Sequence, residues 1–313
     1  MTEFDLIDLF TRPAPRGGEG VVLGIGDDAA VLRPPRGEDL VATVDAVVES
    51  VHFDARFRAA DIGWKALAVN LSDLAAMGAR PLWALCALGT PRGEHPARLA
   101  GVGRGLAACA RAHEVAIVGG NVSRARERSL TVTLVGAVPR GRALTRAGAR
   151  PGDLLFVSGR LGEAALGLAE GAPPRARARQ RRPRPRLALG LALRGVASAC
   201  LDVSDGLLQD LGHLCDASGV GARLETARLP LPDARAAARA GRDPLALACG
   251  GGEDYELLFS ARPDRAVAVA AAAARTRTAV THIGAVVRGA GVRLLDARGR
   301  AHTVRARGHD HLR

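Results

Sequence analysis

Apolar positions along the chain fall in two alternating rhythms. Short runs rich in Val, Leu and Ile read as strands, and longer runs with apolar residues every three or four positions read as helices. In the first half the strand-like runs are Val21–Ile25, Leu40–Val44, Leu82–Leu88, Val115–Val118 and Ser129–Val138. The last alternates Thr with Val, which predicts a half-buried sheet. A helix is predicted from Asp61 as N-cap through about Met77, closed by Gly78, and another over Pro96–His113.

In the second half, Leu154–Ser158, Leu201–Val203 and Tyr255–Ser260 read as strands. Gly162–Glu170, Leu187–Ala199, Leu207–Ser218 and 265–275 read as helices. Strand and helix alternate in both halves, so the expected class is α/β, with α+β mixing. A length of 313 residues accommodates two domains. Pro139–Gly152 is a basic, Gly-containing connector, which sets the expected boundary: domain one over 1–139, domain two over 140–313. The stretch 172–186, dense in Arg and Pro, is expected to be an exposed loop.

Charge changes this picture less than its size implies. The net charge of +12 points to a polyanion partner when taken alone. Lys65 is the single lysine, so the basic residues reflect a bias toward Arg. Residues 175–186 (RARARQRRPRPR) hold seven arginines and no acid, and without them the balance falls to +5. Aromatic residues make up 3 %, too few for a stacking platform, so nucleic acid is not the expected partner. No apolar run approaches the roughly 20 residues of a membrane span. The N-terminus lacks a basic leader, and the five cysteines are dispersed with no C-x-x-C pair, so a reducing cytoplasm is the expected setting.

Candidate chemistry lies in one recurring pattern. Acids sit beside small residues, mostly at the ends of short apolar runs: Gly26-Asp27-Asp28, Thr43-Val44-Asp45, Asn70-Leu71-Ser72-Asp73, Asp202-Val203-Ser204-Asp205-Gly206 and Gly252-Glu253-Asp254. Clustered carboxylates repel unless a cation joins them. Oxygen donors without His or Cys suit Mg²⁺, and neighbouring glycines let a phosphate chain approach the backbone. No G-x-x-x-x-G-K-[ST] occurs, so a P-loop is excluded. Gly24-Ile25-Gly26 runs into two aspartates and makes a poor dinucleotide fingerprint. Gly101-Val102-Gly103-Arg104-Gly105 lies in a predicted helix and reads as close helix packing. For any single motif the alternative is a helix cap or a shaped turn, the role expected for Asp27, Asp61 and Asp254.

Five strings carry a family resemblance, in order along the chain: GIGDDAA from Gly24, GWKALAVNLSDLAAMGA from Gly63, GRALTRAG from Gly141, LDVSDGL from Leu201 and GGEDYELLF from Gly251. Together they resemble the thiamine-monophosphate kinase family, which shares its fold with aminoimidazole-ribonucleotide synthetase and selenophosphate synthetase. The resemblance implies a two-domain aminoimidazole-ribonucleotide-synthetase-like fold, with the N-terminal sheet pairing with its copy in a homodimer. It implies ATP as co-substrate, thiamine monophosphate as acceptor and several Mg²⁺ ions. Carried over by residue, the metal ligands are Asp28, Thr43, Val44 through its carbonyl, Asp45, Asp73, Asn121, Asp202 and Asp205. The nucleotide contacts are Gly120, Asn121, Arg146 and Ser204, and the substrate contacts are His52, Glu253 and His309. No residue is expected to act as a strong general base.

Two positions depart from the family pattern. Asn121 stands where an aspartate is usual, and His309 where an aromatic is usual. They keep open a second reading, another enzyme of the superfamily acting on a different acceptor. A third, motivated by the charge, is a non-catalytic polyanion binder.

Overall fold

The computed structural model describes residues 8–304. They form two compact units, one containing residues 8–74 and 79–141, the other residues 75–78 and 142–304.

The first unit holds β1 (Val21–Leu23), β2 (Val31–Leu32), β3 (Glu38–Val48), helix α1 (Ala59–Ala76), β4 (Arg80–Thr90), α2 (Pro96–Ala112), β5 (Ala116–Arg124) and β6 (Ser129–Pro139). Its main sheet runs β3-β6-β4-β5. Only β4 and β5 are parallel. The alternation in β6 is as expected: Leu130, Val132 and Leu134 are buried, and Thr131, Thr133 and Val135 half-buried. Several predicted strands are longer than their apolar runs. β3 continues through Asp45 to Val48, and β5 passes through Gly119 and Gly120 to Arg124, because ladder pairing continues past the point where hydrophobicity stops. Asp61 lies in the first turn of α1 and not at its cap, where its charge still complements the helix dipole.

The glycine string in α2 does serve packing. A Cβ on Gly105 would lie 1.9 Å from the Ala60 carbonyl oxygen, and one on Gly63 would lie 2.0 Å from that of Val102. Helices α1 and α2 therefore touch backbone to backbone, which no larger residue permits.

The second unit holds β7 (Leu154–Ser158), α3 (Glu163–Leu168), α4 (Pro174–Arg181), α5 (Leu187–Leu193), β8 (Ala199–Val203), α6 (Leu207–Ser218), β9 (Gly221–Glu225), α7 (Ala234–Arg239), α8 (Pro244–Gly250), β10 (Glu256–Ala261), α9 (Ala266–Arg275), β11 (Val280–Val287) and β12 (Gly291–Leu295). Its sheet order is β12-β9-β11-β7-β10-β8, antiparallel except for β12 with β9. The core packs Leu155, Val157, Leu201, Leu211, Leu258 and Ile283 together. The mixed α/β class is as expected, with antiparallel pairing dominant.

Two expectations fail here. The helix predicted over Leu187–Ala199 ends at Leu193, and Ala199 already begins β8. The exposed loop predicted over 172–186 contains α4, with Ala176 and Gln180 buried. Pro174 occupies its first turn, where a missing N–H costs nothing. Gly167 of α3 lets the Ala176 carbonyl come close, since a Cβ there would lie 2.4 Å from it. Several of the arginines face buried acids, so composition alone misread a packed helix as solvent-exposed.

Among the described residues no helix is long and apolar enough to cross a membrane. All five cysteines are free and buried. Burial pushes the Cys86 and Cys249 thiols up to about 12, which leaves them unreactive.

Candidate active site

In the first unit, residues on β3 and α1 meet. Thr43 Oγ1 donates to Asp73 Oδ2 at 2.6 Å. Asp73 lies near the end of α1, inside the helix predicted from Asp61 through about Met77. Side chains alternate along a strand, so Asp45 shares the α1-facing side with Thr43, while Val44 points the other way and is 59 % exposed. Cross-strand register sets Asp45, Val132, Cys86 and Gly120 in one row. Gly120 is required there, because a Cβ would lie 2.0 Å from the Cys86 carbonyl oxygen.

Asp28 and Asn121 belong to a second feature of this unit. With Gly26, Asp27, Gly119 and Gly120 they border a cleft of about 960 Å³. Asp27 Oδ1 accepts the Asp28 N–H at 2.8 Å, the turn-shaping role expected of it. Asn121 belongs to the row Ala46, Thr131, Ala87, Asn121, one step from the row of Asp45 and therefore on the opposite side of the sheet.

His52 follows the end of β3. Its Nδ1 accepts the Val48 N–H at 3.2 Å, and its carbonyl accepts from Lys65 Nζ at 2.9 Å. Lys65 is fully buried, with its ammonium 5.5 Å from the Phe57 ring centre. Sequence reading noted this lysine only as the single one in the chain and missed its role behind His52. Its being the single lysine in an Arg-rich chain was the available signal.

In the second unit, two motifs converge. The Glu253 N–H donates to the Ser204 carbonyl at 2.7 Å, and the Tyr255 N–H to that of Val203 at 2.8 Å. Asp202, Ser204, Asp205 and Glu253 therefore gather where β8 ends and β10 begins. Asp202 is buried on β8. The turn after it is built on Asp210, whose Oδ2 accepts the N–H groups of Ser204, Asp205 and Gly206 at 3.1, 3.1 and 3.0 Å. Burial, with the neighbouring Asp205 charge, raises Asp210 to about 6. Asp210 was not among the expected site residues; its place in the first turn of α6 is the signal that could have found it.

Glu253 and Tyr255 both adopt positive φ, 69° and 51°. Such non-glycine conformations persist where surrounding contacts over-determine them. Asp254, between them, accepts the N–H groups of Gly162 at 2.5 Å and Ala164 at 3.1 Å and so caps α3, the role expected for it. Arg146 is exposed. Its segment lies beside β8, where Cys200 N–H donates to the Thr145 carbonyl at 2.8 Å. His309 lies outside the described residues.

Residues 26–138 match the family model described as AIR synthase related protein, N-terminal domain. Residues 150–296 match the corresponding C-terminal domain. The thiamine-monophosphate kinase of Caulobacter vibrioides is 41 % identical over 308 residues, covering 93 % of this chain and 86 % of that one. That of Salmonella typhimurium is 39 % identical over 268 residues, covering 82 % of each. The crystal structure of thiamine-monophosphate kinase from Stenotrophomonas maltophilia superposes with a TM-score of 0.82 at 43 % identity, over 90 % of this chain and 92 % of that one. A second solved structure, AaThiL complexed with AMPPCP and TMP, gives 0.79 at 33 % identity, over 92 % and 91 %. With identities of this size running through both units, the chain belongs to the thiamine-monophosphate kinase family of the AIR synthase-related proteins.

Proposed function

We propose that this chain transfers the γ-phosphoryl group of ATP to the phosphate of thiamine monophosphate, giving ADP and thiamine diphosphate. The bond broken joins the β–γ bridging oxygen to the γ-phosphorus, and the bond formed joins an acceptor phosphate oxygen to it. The acceptor oxygen is already anionic at neutral pH, so positioning and charge neutralisation suffice. The observation that carries the reading is the joining of Glu253 to Ser204, which gathers carboxylates and turn backbone from two distant motifs. Support also comes from AaThiL, a relative complexed with AMPPCP, an ATP analogue, and TMP.

The donor chemistry fits Mg²⁺. The assigned ligands Asp28, Thr43, Asp45, Asp73, Asn121, Asp202, Asp205 and the Val44 carbonyl offer oxygen alone. Among the described residues no three acidic, His or Cys side chains close on one point. Mg²⁺ keeps several waters and takes its remaining ligands from substrate phosphates. When bound, it would neutralise phosphate charge. Thr43 donates its proton to Asp73, which leaves the hydroxyl lone pairs free to face a cation. Gly120 and Asn121, with Arg146 and Ser204, are assigned to the nucleotide. His52, Glu253 and His309 are assigned to the acceptor. His52 Nδ1 is used as an acceptor, so in the neutral ring the proton sits on Nε2.

The same reading makes the protein a homodimer through the open side of its first sheet. Leu40, Val44 and Leu85 are 48, 59 and 42 % exposed there. An apolar row of this kind is what a partner sheet would cover.

The direct test is incubation of the purified protein with ATP, Mg²⁺ and thiamine monophosphate. Formation of thiamine diphosphate and ADP in equal amounts is expected; ATP turnover without thiamine diphosphate would reject the assignment.

A further inference from the structure

Glu256 opens β10 with a carboxylate 1 % exposed. A lone buried carboxylate is strongly disfavoured, so its partners are informative. Arg186 grips it through Nε at 2.6 Å and through Nη2. Arg179 Nη2 donates to it at 3.0 Å, and Ser158 Oγ at 2.5 Å. Gly159 leaves room for the carboxylate, since a Cβ there would lie 2.1 Å from its Oε1. Arg179 also faces Glu163 at 3.5 Å, and Arg175 faces the same acid at 3.3 Å. The stretch that composition marks as excess charge thus ends in a ladder of alternating arginines and acids.

The next residue of the same helix touches the candidate site. Gln180 is 3 % exposed, and its Nε2 donates to Glu253 Oε2 at 3.4 Å. Residues 179 and 180 of α4 therefore hold the two ends of one turn, Glu256 and Glu253. Between these ends, Asp254 is fixed by the N-terminus of α3 and the Tyr255 N–H by Val203. Both positive-φ residues of the turn lie inside this frame.

We propose that α4 and Arg186 form a clamp that sets the direction of the Glu253 carboxylate, making Gln180 and Arg186 positioning residues for acceptor binding. This rests on the reading of Glu253 as an acceptor contact. A bidentate Arg–carboxylate pair fixes geometry as well as charge. The clamp uses it to anchor the turn, and the Gln180 amide selects the orientation of Glu253. The Arg/Pro segment then serves the small anionic substrate indirectly and needs no polyanion.

The test is steady-state kinetics of Gln180→Met, Arg186→Lys, Glu253→Gln and the double variant Gln180→Met/Glu253→Gln. Met matches Gln closely in volume and lacks the donor. Lys keeps the charge of Arg186 but not its fork. For Gln180→Met the KM for thiamine monophosphate is expected to rise about tenfold, with the KM for ATP and kcat within about threefold of wild type. Arg186→Lys should show the same bias toward the acceptor. The double variant should be no worse than Glu253→Gln alone, because the amide acts only through that carboxylate. Equal changes in both KM values, or additive losses in the double variant, would mean a merely structural helix and overturn the clamp. An unchanged acceptor KM in Gln180→Met, with a raised one in Glu253→Gln, would reject the clamp and leave the site assignment standing. An unchanged acceptor KM in Glu253→Gln would reject the assignment of Glu253, and the clamp with it.

Discussion

The Thr43 hydroxyl donates a hydrogen bond to Asp73 across 2.6 Å, joining an edge strand to the last turns of a helix thirty residues on. The bond ties together two candidate metal donors that the sequence holds in separate motifs. Asp73→Asn removes a charge without changing shape. Its kcat is expected to fall on the order of 10²-fold or more, as for loss of a charge-stabilising group. The melting temperature should hold or rise, because carboxylates gathered without a cation repel one another. A collapse in melting temperature at normal kcat would make Asp73 structural.

Lys65, the single lysine of an Arg-rich chain, is fully buried. Its slender ammonium fits a fully buried slot between the His52 carbonyl and the Phe57 ring. Lys65→Arg forces a larger planar head into that slot and should cost about 1–3 kcal/mol in denaturant unfolding. Lys65→Met fits by volume but leaves the His52 carbonyl without this donor. It should raise the KM for thiamine monophosphate with a smaller loss of stability. An Arg variant as stable as wild type would show that the slot is not limiting.

Asp254 is expected to give the stability a pH dependence whose sign follows from its burial. Burial pushes its carboxyl up to about 8, against 3.8 ordinarily, although it accepts two backbone N–H groups. The native state therefore holds a proton that the unfolded chain has released above pH 4. The stabilisation from this group is complete below about pH 4 and is lost as pH rises through about 8. Unfolding free energies measured between pH 5 and 8 should fall with pH, and Asp254→Asn should flatten that slope by about one proton. An equal slope in both proteins would exclude Asp254 as its source.

The open side of the first sheet offers a separate check on assembly. Leu40 lies on the edge strand on the side opposite Thr43 and is 48 % exposed. Leu40→Arg would bury an unpaired charge in a sheet-to-sheet interface. Light scattering should find the wild type dimeric and the variant shifted toward monomer. A wild type that is monomeric at micromolar concentration would reject the interface.

Much of this molecule was legible before folding. Apolar rhythm located the β6 alternation and the helix over Leu207–Ser218, because burial of one face leaves its period in the local sequence. The five motifs were legible too, since acids beside small residues can be read directly along the chain. Strand ends were less so: Asp45 and Asn121 lie within strands because pairing continues after hydrophobicity stops.

Pairing between distant residues was a matter for the tertiary structure alone. Sequence assigned seven arginines to solvent; the fold turned Arg179 and Arg186 toward Glu256 and seated Gln180 against Glu253. It also set Lys65 behind His52 and Asp210 beneath the Ser204–Gly206 turn. A residue's type and spacing carry its local propensity. Whether a charge is exposed or paired depends on which distant acid packing brings to it, and that information exists only once the chain has closed on itself.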